Sequence, residues 1–148
     1  MYVRQWKEIL TMIDADRIVR TTCPYCGVGC QLDLHVRDNL IFRVTSPFDA
    51  PPNFGRLCVK GRFGHEFLWH KDRLTTPLIR RNGTLEPATW DEALDLVAER
   101  FSTIKSESGP DAIGFLCSAK VTNEENYLMQ KLARQVIGTH NIDHCARL

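Results

Sequence analysis

The 148 residues carry 19 lysines and arginines against 18 acidic side chains, a formal charge of +1, and 43% of them are hydrophobic. That balance offers no basic face for nucleic acid, and no window of about twenty apolar residues is present to cross a membrane. The composition is that of an ordinary globular chain, with enough length to bury a core.

Trp6, Ile9, Leu10 and Ile13 fall on one helical stripe, which predicts an N-terminal helix within residues 1–15 that packs against the rest of the fold. The same segment has acidic residues, no apolar core before a cleavage site and no paired-arginine signal, so a cytoplasmic protein is expected. "RIVRTT" reads as an extended run leading into the cysteines. "CQLDLHVRD" then sets Leu32, Leu34 and Val36 against Gln31, Asp33 and His35 at period two, with His35 expected on the exposed side. Asp38-Asn39 supplies a turn and "LIFRVTS" a second strand, which together predict a β-hairpin.

The proline-rich "SPFDAPPNFG" reads as a loop returning the chain to Cys58, and "KGRFGHEFLWH" as the start of a short helix. "TPLIRRNGTLEPATW" places an Asn-Gly turn between two short extended segments. Thr89 with Glu92 forms a capping-box pattern ahead of Ala93, Leu94, Val97, Phe101 and Ile104 at helical spacing, and Gly109-Pro110 ends that helix. "DAIGFLCSA" does not alternate and predicts a strand buried on both faces. Thr122 and Glu125 repeat the capping pattern before a helix that Gly138 stops. Helix, strand and helix at this spacing open an α/β layer. The expected organisation is a helix in 1–15, a cysteine-bearing domain over 16–75 and the start of a larger domain over 76–148.

Six cysteines stand at 23, 26, 30, 58, 117 and 145. Without a secretory signal, metal binding is a better expectation than disulfides. The spacing Cys23-x2-Cys26-x3-Cys30-x27-Cys58 gives three thiols on one loop and a distant fourth. Four soft thiolates suit the corner irons of a [4Fe–4S] cluster, whereas a structural zinc site usually pairs its ligands two and two. Iron–sulfur is therefore the first reading, with zinc and disulfides as alternatives. Lys60, two residues beyond Cys58, would offset thiolate charge or bridge to a second cofactor; a solvent-facing loop lysine is the plainer alternative. Cys117 reads as a buried small hydrophobe, and Cys145 has polar neighbours. The histidines show no zinc-protease spacing, and no dinucleotide fingerprint or phosphate loop is present.

"TTCPYCGVGC", "GRLCVKGRFG" and "TNEENYLMQKLARQVIGTHNIDHCARL" together resemble the N-terminal part of formate dehydrogenase catalytic subunits, members of the molybdopterin (molybdenum or tungsten) oxidoreductases. The cysteine motif alone fits the wider family, nitrate reductases included; the stretch from Thr122 onward points to formate. The resemblance implies an α+β fold: a small antiparallel β iron–sulfur domain, then the opening of an αβα molybdopterin-binding domain. It implies that Cys23, Cys26, Cys30 and Cys58 ligate one [4Fe–4S] cluster. Lys60 would relay electrons between that cluster and a bis-molybdopterin guanine dinucleotide, with Arg56, Gly61, Ser118 and Asn123 near the same cofactor. Partners implied are the rest of the catalytic subunit, an iron–sulfur electron-transfer subunit, and a flavin/NAD or hydrogenase module. The substrate implied is formate or carbon dioxide. In that family, "N-x-D-x-C-A-R-[LV]" is followed at once by a cysteine or selenocysteine that binds the metal. The sequence stops at Leu148, one residue short of that ligand; a selenocysteine codon read as a stop is the first expectation and an arbitrary boundary the alternative, and this part is expected to be inactive alone. A stand-alone iron–sulfur electron carrier, a nitrate-reductase-like fragment and a zinc-stabilised interaction module are the competing expectations.

Overall fold

Alternation in "QLDLHVR" buries Leu32 and Val36 on one side of a strand, at 4% and 7% exposure. In the computed structural model, which describes residues 14–145, that strand is β2 (Gln31–Arg37). It lies between β1 (Arg17–Thr22) and β3 (Leu40–Thr45), both antiparallel to it. Asp38 and Asn39, at φ +49° and +62°, make the tight hairpin turn, the backbone geometry that matches strand twist. Register is set by the buried face and reinforced across β1–β2, where Arg20 donates to both carboxylate oxygens of Asp33 at 2.9 and 3.2 Å. Cys23, Leu32 and Val44 form a buried cluster against which Tyr25, Cys30, Leu34, Ile41 and Leu57 pack. After the 46–57 loop come α1 (Val59–Phe63) and a 3₁₀ turn over Glu66–Trp69.

The described chain divides into two compact units, the first ending at Leu68 and the second starting at Trp69. The second opens with the hairpin of β4 (Leu78–Arg81) and β5 (Thr84–Pro87) around Asn82-Gly83. Both expected capping boxes form. Thr89 and Glu92 start α2 (Trp90–Ser108), and Thr122 and Glu125 start α3 (Asn123–Lys131), each with reciprocal side-chain and backbone bonds. β6 (Phe115–Ser118) runs parallel to β7 (Ile142–Cys145), with α3 in the connection between them. This is a β-α-β unit. Phe101 of α2 meets Phe115 edge to face at 5.9 Å. Among the described residues no helix is long and apolar enough to cross a membrane.

Several expectations need correction. β6 is not buried on both faces: Leu116 is 87% exposed. β6 has one strand neighbour, and the described residues put no layer over Leu116. Cys117 is accordingly half-buried rather than enclosed. His35 is half-buried too, because its ring bonds Thr45 Oγ1 at 2.8 Å and lies edge-on to Phe42 at 6.2 Å. Burial lowers its pKa, and Arg43 adds to that. The second capped helix does not run as α-helix to Gly138; Leu132–Ile137 form a π-helical turn, which periodicity in sequence does not encode. The N-terminal helix expected within residues 1–15 lies outside the described residues.

Candidate metal centre

The first cysteine loop is bent by its own backbone. Cys23 N–H donates to Cys30 O at 2.8 Å, and Gly29 N–H reaches Cys26 O at 3.4 Å. The loop thus folds back between the ends of β1 and β2. Gly29 has φ +70°, and a Cβ there would meet nothing within 4 Å, so its requirement is one of backbone conformation and not of space.

Cys58 comes to the same place by a loop pinned at Asn53. That side chain is 9% exposed. Its oxygen accepts Gln31 N–H at 2.9 Å, and its amide nitrogen donates to Ser46 Oγ and to Arg56 O, both at 2.7 Å. Arg56 N–H in turn donates to Asn53 O at 2.9 Å, so Arg56 is tied by its backbone while its side chain is exposed. Cys58 immediately precedes α1, which carries Lys60 and the buried Gly61. A Cβ on Gly61 would stand 3.5 Å from the Cys23 sulfur, so the two cysteine segments face each other across that glycine.

The thiols sense one another. Burial pushes Cys23 up, and the neighbouring Cys26 and Cys58 push it further. Burial likewise raises Cys30, with Cys23, Cys26 and Cys58 adding to the rise. Cys58 goes the other way: hydrogen bonding from the Gly61 backbone draws its thiol down, desolvation partly opposes this, and the backbone and ammonium of Lys60 add to the lowering. Lys60 also acts on Cys23. Among the described residues no group of three His, Cys, Asp or Glu side chains closes on a point in the way a single ion requires. A cubane takes one thiolate at each corner iron, a wider ring than one ion takes. A cavity of about 230 Å³, lined mainly by apolar side chains, takes in Pro24, Tyr25, Leu34, Lys60, Gly64 and His65. The buried His65 Nδ1 has no hydrogen-bond partner among the described residues.

Ser118 and Asn123 belong to the second unit. Ser118 ends β6, where its hydroxyl accepts Lys120 N–H at 3.0 Å and its carbonyl accepts Asn126 Nδ2 at 3.1 Å. Asn123 is the first residue of α3. A cavity of about 460 Å³ takes in Leu116, Cys117, Ser118, Val121, Asn126 and Met129. Cys145 is exposed on β7, in register with Ser118.

Two residues of the first unit escaped the sequence reading. Asn53 is one. The other is Tyr25, whose hydroxyl donates to Gly64 O and whose ring lies edge-on to Phe67 at 6.4 Å. Tyr25 sits inside a legible motif, but its partner is 39 residues away, and no periodicity links them.

Residues 16–70 match the family described as Molybdopterin oxidoreductase Fe4S4 domain, and residues 73–148 match Molybdopterin oxidoreductase. Two Staphylococcus aureus proteins, from strains MRSA252 and USA300, are each 50% identical to this chain over 128 residues. Each bears the name "Putative formate dehydrogenase". The match covers 86% of this chain but 13% of either relative, so the chain spans a small part of the length of the proteins it matches.

Proposed function

The chain belongs to the molybdopterin oxidoreductases, and on that premise we propose that it is the N-terminal part of a formate dehydrogenase catalytic subunit, whose full-length form interconverts formate and carbon dioxide. Its two domains carry a [4Fe–4S] cluster and a molybdopterin cofactor; the finer identity we infer is a bis-molybdopterin guanine dinucleotide with molybdenum or tungsten. Identity of 50% to proteins that bear the name "Putative formate dehydrogenase" carries the choice of formate. In the proposed organisation the cluster domain fills 16–75, and 76–148 opens an αβα domain.

The donor set fits the cluster. Cys23, Cys26, Cys30 and Cys58 are the four thiols that would hold it, and what supports this is that their charges act on one another in the fold. When bound, the molybdopterin-held metal supplies two-electron chemistry and the cluster one-electron transfer. The chain's own part is to hold and screen. The Lys60 ammonium lowers the Cys23 and Cys58 thiols electrostatically, offsetting thiolate charge and, in this reading, standing on the electron path to the pterin. The backbones of Gly61 and Lys60 draw the Cys58 thiol down, which favours its charged form. Arg56 and Gly61 in the first unit, and Ser118 and Asn123 in the second, are the proposed cofactor contacts. Electrons would leave through an iron–sulfur partner subunit toward a flavin/NAD or hydrogenase module.

The test is anaerobic purification of the full-length protein, iron, sulfide and zinc analysis, and formate-dependent reduction of a viologen dye. Four irons per cluster, an EPR signal on reduction and formate-driven dye reduction are expected. Nitrate-dependent oxidation of the reduced dye without formate turnover would overturn the choice of formate, and zinc in place of iron would overturn the cluster.

A further inference from the structure

Tyr25 lies between Cys23 and Cys26 and makes contacts at both of its ends. Its backbone acts on the Cys23 thiol, opposing the rise that burial causes. Its phenol donates to Gly64 O, at the C-terminal cap of the segment that begins with Cys58. The ring is steadied edge-on by Phe67. Gly64 accommodates this approach: a Cβ there would fall 2.5 Å from the Tyr25 hydroxyl and 2.6 Å from Lys60 O. Between Cys58 and Gly64 lie Lys60 and Gly61, whose backbones draw the Cys58 thiol down. Gly61 also faces the Cys23 sulfur, 3.5 Å from where a Cβ would stand. One phenol thus ties the loop carrying the first three thiols to the segment carrying the fourth.

We propose that Tyr25 is a positioning residue that sets the reduction potential of the cluster. By holding Gly64 O, it fixes against each other the two backbone segments that carry Cys23 and Cys58 and meet at Gly61. Hydrogen bonds to cluster sulfurs favour the reduced, more negative state and raise its potential. Losing the phenol lets the Cys58–Gly64 segment draw its backbone N–H groups away from the cluster sulfurs and lowers the potential. The inference rests on the cluster reading above.

The test uses the full-length, cluster-loaded protein. Tyr25→Phe removes the hydroxyl and keeps the ring on Phe67. Iron content equal to wild type is expected, with altered EPR g-values and a more negative midpoint in an EPR-monitored redox titration. The expected displacement is about tenfold in the reduced-to-oxidised ratio at the wild-type midpoint, or about 59 mV for one electron. Tyr25→4-aminophenylalanine returns a donor to the ring and brings the midpoint back toward wild type. Phe67→Leu loosens the ring while leaving the phenol bond, and lowers the melting temperature more than it moves the midpoint. A Tyr25→Phe protein with full iron and an unmoved midpoint overturns the inference alone. Loss of iron from Tyr25→Phe also overturns it, because the phenol would then retain ligands and not tune them. Zinc without iron in the wild type removes the cluster reading and this inference together.

Discussion

Asn53 holds Gln31 by a hydrogen bond from the Gln31 backbone N–H to its side-chain oxygen, 2.9 Å long and closed over 22 residues of chain. Gln31 follows Cys30, and the Asn53 amide nitrogen reaches Arg56 O, two residues before Cys58. The one buried amide therefore fixes the separation of the third and fourth thiols. Asn53→Ala leaves Gln31 N–H and Arg56 O without this partner, at about 1–3 kcal/mol for each polar group that stays buried. Urea unfolding should show a lower midpoint, and iron retention should fall in parallel. Full iron and wild-type unfolding would contradict this.

Thiol chemistry in the metal-free protein should separate Cys58 from its partners. The Gly61 backbone, and then Lys60, draw Cys58 below the ordinary thiol range, while burial raises Cys23 and Cys30. The Cys58 thiolate therefore persists to lower pH, and iodoacetamide labelling followed by peptide mass spectrometry should give it the lowest midpoint of the three. In linkage terms the depressed Cys58 pKa favours the fold above the unfolded thiol value of about 8.5, and that contribution disappears as pH falls through the folded value. Cys23 and Cys30 have the opposite sign: their contribution is fully present below the unfolded value and is lost as pH rises through the raised folded value. Lys60→Met should move the Cys58 midpoint upward; three coincident midpoints would contradict the assignment.

Gly64→Ala should be costly for a reason visible in the backbone. Its Cβ would stand 2.6 Å from Lys60 O, a backbone atom that cannot swing away, and 2.5 Å from the Tyr25 hydroxyl. Overpacking of this kind costs about 1–3 kcal/mol. Gly83→Ala is a useful contrast, since a Cβ there meets nothing within 4 Å and only the φ of +87° opposes it. The Gly64 variant should lose iron as well as stability, and the Gly83 variant should keep its iron.

How much of this was legible in the sequence depended on the range of the interaction. The β2–β3 hairpin, the Asn-Gly turn and both Thr-x-x-Glu caps were readable because each is written within a few neighbouring residues. Cys23, Cys26 and Cys30 stood out because they share one short loop, and spacing alone left iron–sulfur, zinc and disulfide readings open for them and Cys58. Tyr25–Gly64 and Asn53–Gln31 were not, since those partners lie 39 and 22 residues apart and nothing local marks them. Leu116 misled because an apolar run without alternation looks the same whether a second layer covers it or not.

The second unit has its own buried hinge-pin in Thr139, which is 0% exposed. Its hydroxyl donates to Asp111 Oδ1 at 2.8 Å and accepts Asn141 N–H at 3.2 Å, tying the end of the π-helical turn to the turn after α2. Thr139→Val keeps the shape and removes both bonds, at about 1–3 kcal/mol for the groups left unpaired. Hydrogen exchange should speed up at Asn141 and along β7 while β1–β3 remain unchanged. Uniform exchange across both units would contradict a local role.

The bond from Cys23 N–H to Cys30 O also bears on where entropy is lost. Bringing the ends of a loop together has a chain-entropy cost whether a metal or the protein does it. Here the β1–β2 ladder meets that cost during folding, so the strands themselves bring Cys23 and Cys30 together. Retention of iron then becomes sensitive to the strands that hold the loop shut. The Arg20–Asp33 fork, exposed and of small weight in stability, is one of the cross-strand ties that keep this loop closed.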